Sequence, residues 1–112
     1  QGCEFGQWRE WNHGESLPWF LLEHAPHDGL LRFVGDLAAM YRREPALYQR
    51  DYDPSGFQWI DCNDNENSVI TFIRRAADPS DLLVVLLNLT PVPRQQYVVG
   101  VPTAGGYAEI LN

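Results

Sequence analysis

The sequence predicts a mostly-β fold with one long N-terminal α-helix, followed by an antiparallel meander of about five strands. Three observations lead there. Residues 28–43, "DGLLRFVGDLAAMYRR", place Leu30, Leu31, Val34, Leu37, Ala38 and Tyr41 on the i, i+3, i+4, i+7 stripe of an amphipathic helix. Beyond the turn cluster "DYDPSG" the apolar period changes to two. The apolar runs that follow are separated by "NDNEN", "ADPSD", "TPVPR" and "PTAGG", which are turn chemistry at hairpin-length spacing.

Each element has its own justification. Residues 1–27 are aromatic and irregular, with Pro18 and Pro26 as breaks. For the helix, Asp28 is the expected N-cap, Arg42 and Arg43 suit the C-terminal dipole, and Pro45 stops it. Gly35 costs about 1 kcal/mol in an exposed helix interior, which points to close packing at that position. The expected strands are "FQWIDC", "SVITFIRR", "LLVVLLNL", "QYVVGV" and "YAEIL". "LLVVLLNL" is apolar on both faces and so reads as a central strand covered on both sides. The final "YAEILN" still has strand character, and the first residues are rich in tryptophan, so both ends read as cut.

Composition narrows the partners. Eight basic residues, all arginine, against fifteen acidic ones give a net charge of −7. That disfavours nucleic acid and anionic membranes, which need a basic surface. The longest apolar run is strand-sized, so no membrane span is expected. A neutral partner such as a carbohydrate fits. Cys3 and Cys62 form neither a CxxC nor a disulfide framework; buried or reduced thiols in a cytoplasmic protein are expected.

Metal and nucleophile motifs fail on their details. "DYDPSG" begins like a calcium loop, but the position needing a bidentate carboxylate is Cys62. "DCNDNEN" has Glu66 in place of the required Gly and Phe72 at its twelfth position, so turn-forming Asp and Asn explain both stretches. His24 and His27 lack a second ligand pair, and no metal site is expected. Ser16, Ser55, Ser68 and Ser80 are not in nucleophile elbows. Glu4, Glu10 and Glu15 offer carboxylates, but in one loop-rich segment rather than on the rigid, separate elements a glycosidase pair needs. "NLT" at 88–90 is a formal glycosylation acceptor, expected to be inert before Pro91. Trp8 and Trp11 would share one face if their segment turned helically, with Gln7, Arg9, Glu10 and Asn12 between them. Aromatic rings rimmed by amide and carboxylate groups suit sugar rings, but spacing alone favours the plainer role of stapling the segment to a core.

The stretches "GCEFGQWREWNHGESLPWFLLE", "LLRFVGDLAAMYRREPALYQRDYDPSGFQWIDCNDNENSVITFIRR" and "LLNLTPVPRQQYVVGVP" together resemble the glycogen (1,4-α-glucan) branching enzymes of the α-amylase superfamily. The resemblance runs along essentially the whole chain, and "EFGQWREWN", "DPSGFQWIDCNDNENSV" and "NLTPVPR" are specific combinations. It implies that residues 1–50 are the C-terminal end of a catalytic (β/α)8 barrel, its last loop and helix. Residues 51–112 would then be the first part of the C-terminal all-β domain, a partial β-sandwich. It implies no catalytic residue in this chain, because the family's nucleophile and acid/base carboxylates lie on earlier barrel strands. It carries a substrate-binding role, near the glucan cleft, onto Glu4, Gln7, Trp8 and Trp11. Gly14 stands where the family commonly has Asp, so nothing is carried onto that position.

The reaction implied is cleavage of an α-1,4 link through a covalent glycosyl-enzyme and transfer of the chain to a 6-hydroxyl, with retention through two displacements and no cofactor. The expected partner is an α-glucan, glycogen or amylose. The chain alone is expected to be inactive. A non-catalytic glucan-binding or structural β-module is the alternative, and self-association through an unfinished sheet edge is a further expectation.

Overall fold

The computed structural model describes residues 1–112, which form two compact units, Gln1–Glu44 and Pro45–Asn112. In the first unit the aromatic segment folds into two 3-10 turns, Cys3–Phe5 and Trp19–Glu23, that pack on helix α1, Ala25–Arg43. Phe5 and Leu21 are its fully buried anchors, and the Phe5 ring stacks on Trp19 with centroids 5.3 Å apart.

Helix α1 starts three residues before the expected start at Asp28. His24, in an extended conformation, is the N-cap, and Pro26 occupies the first turn, where its missing N–H costs nothing. Asp28 is therefore inside the helix, not its cap, and pairs with Arg32 at 2.5 Å one turn on. Leu31, Val34 and Leu37 are half-buried, whereas Leu30, Phe33 and Tyr41 are exposed. No α1 residue is fully buried. The close packing expected at Gly35 is absent, since a Cβ there would meet nothing within 4 Å.

The second unit is a three-stranded antiparallel sheet in the order β1 (Phe57–Asp64), β2 (Val69–Arg75), β3 (Leu82–Asn88). Its core lies along one face of β2, where Val69, Thr71 and Ile73 are buried together with Ala46 and Ala76. The opposite face carries an aromatic cluster: Phe57 lies 4.7 Å from Trp59 and 5.2 Å from Phe72, centroid to centroid. β1 is irregular either side of Asp61, whose amide donates to Thr71 Oγ1 at 3.0 Å instead of continuing the ladder.

The segment before β1 is tied to the end of β2. Arg74 Nη2 donates to the Leu47 carbonyl and pairs with Asp51, and the Ala77 amide donates to Gln49 Oε1. Arg50 reaches both Ser55 Oγ and the Ala77 carbonyl. Three acids of "DYDPSG" and "DCNDNEN", Asp53, Asp61 and Asp64, do turn chemistry, as expected. Asp53 caps a 3-10 turn by accepting the Ser55 amide, Asp61 accepts the Asn63 amide, and Asp64 accepts the Asn67 amide and side chain.

Three expectations need correction. Three strands form, not five: 96–101 and 107–111 have no strand structure. Pro91, Pro93 and Pro102 flank the fourth run and supply no ladder donor, and Gln96 adopts a positive φ of 55°. Gly100–Asn112 are exposed throughout, and strand propensity without a neighbouring strand does not suffice. "LLVVLLNL" is the edge strand β3 rather than the centre, with Leu86 and Leu87 exposed. Of the two expected states of Cys3 and Cys62, buried or reduced, burial is the one corrected: both thiols are free and exposed.

Candidate functional site

The first unit holds an open concavity of about 660 Å³ lined by Gln7, Trp8, Arg9, Glu10, Asn12, Glu15–Pro18, Phe20 and Leu21. Its shape begins with two glycines. Gly2 (φ +85°) and Gly6 (φ +66°) adopt left-handed conformations on either side of the Cys3–Phe5 turn, which an L side chain would strain. The reversal returns the Gln7 amide to the Gly2 carbonyl at 3.1 Å and brings the Gln7 side chain over Gly2, where a Cβ would lie 2.5 Å from Gln7 Cδ. Gln7 Nε2 donates to the Gln1 carbonyl at 2.8 Å, which fixes the amide at the rim and leaves its oxygen as an acceptor.

Trp8, the next residue, is 73% exposed, so most of its indole is free to meet a ligand. Its edge contact is with His27 of α1, centroids 5.4 Å apart and planes at 69°. His27 is itself held by a 2.7 Å hydrogen bond between Nδ1 and the Phe5 carbonyl. The carbonyl can only accept, so Nδ1 carries the proton. Thus buried Phe5, the first turn of α1 and Trp8 form one connected arrangement.

The four expected binding residues do not share one surface. Gln7 and Trp8 line the concavity. Glu4 lines a smaller hollow of about 260 Å³ with Phe5, Leu17, Trp19 and Leu31. Hydrogen bonding from its own amide first, and from Gly2, holds the Glu4 carboxyl below its ordinary value. Trp11 lines neither hollow; its ring lies 6.4 Å from that of His13. Residues 7–12 are not helical, so the shared face anticipated for Trp8 and Trp11 does not form. Glu10 and Glu15 do line the concavity, and the Asn12 side chain accepts the Gly14 amide at 3.0 Å. Phe20 and His27 carry no sequence signal for a place beside Trp8. His27 depends on a contact 22 residues distant, which no local pattern reports.

The concavity thus combines one exposed indole, the apolar side chains of Leu17, Pro18, Phe20 and Leu21, and amide and carboxylate groups.

Residues 59–112 match the family described as "Alpha amylase, C-terminal all-beta domain". The antiparallel sheet of the second unit fits that class. At higher resolution, the chain is 56% identical over 111 residues to the 1,4-alpha-glucan branching enzyme GlgB of Pseudomonas syringae pv. tomato, covering 99% of this chain and 15% of that protein. It is 53% identical over 111 residues to the enzyme of the same name from Synechococcus elongatus, covering 99% of this chain and 14% of that protein. Along 99% of its length the chain is similar to these 1,4-alpha-glucan branching enzymes, and it spans about one seventh of the length of the curated relatives it matches.

Proposed function

We propose that this chain is the part of a glycogen branching enzyme that joins the end of its (β/α)8 barrel, residues 1–50, to the start of its all-β domain, residues 51–112. The division between the compact units, after Glu44, lies close to that boundary and supports it. The whole enzyme would cleave α-1,4-glucan chains and transfer them to 6-hydroxyls, building α-1,6 branches in glycogen in the cytoplasm, without a cofactor. The two free cysteines accord with a reducing compartment. The chain's own contribution is to contact glucan, and by itself it carries out no transfer.

The observation that carries this reading is the exposed Trp8 indole beside the Gln7 amide in the concavity. Trp8 supplies an apolar face for the C–H side of a glucose ring, and Gln7, Glu10, Asn12 and Glu15 supply polar partners for its hydroxyls. Trp11 and Glu4, outside that concavity, serve as flanking contacts along a longer glucan. Affinity electrophoresis in glycogen gels tests the assignment. Retardation of the chain, reduced by Trp8→Ala and less so by Trp11→Ala, is the expected result; mobility independent of glycogen would overturn it. In parallel, the chain should leave the iodine colour of amylose unchanged.

A second reading rests on the second unit. The cluster Phe57–Trp59–Phe72 and the exposed Leu86, Leu87 and Leu89 favour a structural β-module that buries these surfaces against protein. In the chain on its own, the same edge favours self-association. Sedimentation velocity across a concentration series distinguishes a monomer from a self-associating species.

A further inference from the structure

We propose that His27 is the positioning residue of the Trp8 platform: its ring buttresses the edge of the indole while its Nδ1–H is anchored on the Phe5 carbonyl. The inference rests on the reading of Trp8 as a glucan contact and adds the device that sets the indole's orientation.

An indole that is 73% exposed has little packing of its own to fix its rotamer. A platform that samples several orientations binds more weakly, because the ordering must then occur on binding. The edge-to-face contact with His27, at 5.4 Å and 69°, supplies the missing restraint in a favourable aromatic geometry. His27 can supply it because it is restrained in turn. Its backbone lies in the first turn of α1, where its amide donates to the His24 carbonyl at 3.0 Å. Its ring is fixed by the 2.7 Å bond to Phe5, whose side chain is buried at 2% exposure and stacked on Trp19. Gly6 is required for its left-handed φ of +66°; a Cβ there would crowd Leu30 Cδ2 at 3.1 Å but meet His27 Nδ1 only at an ordinary contact distance of 3.8 Å. The neighbouring His24 ring, 6.4 Å away, is outside hydrogen-bonding range by centroid distance and leaves the His27–Trp8 contact undisturbed.

The two functions of the side chain can be separated by substitution. His27→Asn keeps an N–H at the position of Nδ1 and so preserves the tie to Phe5, but removes the ring. His27→Phe keeps a ring and removes the donor. The experiment uses the full 112-residue chain labelled with 5-fluorotryptophan, with the Trp8 fluorine resonance assigned by its loss in Trp8→Phe, alongside glycogen-gel retardation. His27→Asn should shift or broaden the Trp8 resonance while leaving the other three tryptophan resonances in place. It should also weaken glycogen affinity by about three- to tenfold, the range expected for loss of one aromatic pair. His27→Phe keeps the ring but releases its anchor, so it should move both readouts in the same direction as His27→Ala but less far, and that comparison decides the matter if the Asn variant does not fold. An unmoved Trp8 resonance in His27→Asn, or a His27→Phe that loses the resonance position as fully as an alanine variant does, would overturn the proposal. If instead glycogen fails to retard the wild-type chain, the glucan reading falls. The fluorine spectra then still decide whether His27 holds Trp8.

Discussion

At the scale of single residues, two glycines that look alike in the sequence have opposite physical meanings. Gly35 sits on an open face of α1, where a Cβ meets nothing within 4 Å, so Gly35→Ala should stabilise the first unit by about 1 kcal/mol through helix propensity alone. Gly56 is buried, and a Cβ there would lie 2.4 Å from the Arg50 carbonyl oxygen, a backbone atom that cannot swing away. Gly56→Ala should therefore destabilise the second unit by about 1–3 kcal/mol. Urea unfolding of both variants, followed by circular dichroism, reads the two signs directly. Thr71 offers a third residue-scale test. It is the buried polar side chain of the sheet, and its Oγ1 accepts the Asp61 amide where the β1 ladder is interrupted. Thr71→Val preserves shape but leaves that amide unpaired, and should cost about 1–3 kcal/mol in the same measurement.

At the scale of elements, the helix and first three strands were legible because their signals are local. The stripe over 28–43 and the alternation in "FQWIDC" and "SVITFIRR" each name a period that one element satisfies alone. The start of α1 differs from the expected Asp28 because the first turn carries no side-chain cap to mark it: His24 makes no capping side-chain hydrogen bond, and Pro26 is accommodated in that turn. The fate of residues 89–112 was not legible, because it depends on long-range polar contacts in place of a strand ladder. Tyr97 Oη donates to Asp64 Oδ2 at 2.7 Å, and Arg94 Nη2 donates to the Asn67 carbonyl at 2.7 Å, tying this segment to the β1–β2 turn. That bond from Tyr97, with those from Asn67, holds the Asp64 carboxyl below its ordinary value, while Asp64 pushes the Tyr97 phenol up. The carboxylate's contribution is therefore present above its unfolded value near pH ~4 and is lost as pH falls through the lower folded value. The phenol's contribution is present below its unfolded value near pH ~10 and is lost as pH rises through the higher folded value. The ring NMR signals of Tyr97 should thus stay fixed at neutral pH and move at both extremes. In Asp64→Ala they should already be displaced at neutral pH; signals unchanged in that variant would show that the tie does not hold the segment.

At the scale of the whole molecule, the two units divide the surface between two kinds of aromatic exposure. The first unit presents Trp8 over a concavity with polar groups at its rim, the arrangement suited to a sugar ring. The second presents Phe57, Trp59 and Phe72 on a sheet face, packed mainly against one another, the arrangement suited to burial against protein. Trp8 and Trp11 of "QWREW" stand as a pair in the sequence, but only Trp8 lines the concavity. That separation follows from the absence of helix over residues 7–12. Titration of the full chain with maltoheptaose, followed by tryptophan fluorescence, tests the placement of the glucan contact most directly. A glucan platform at Trp8 predicts a saturable change that disappears in Trp8→Ala and persists in Trp59→Ala; a change abolished by Trp59→Ala and untouched by Trp8→Ala would contradict it.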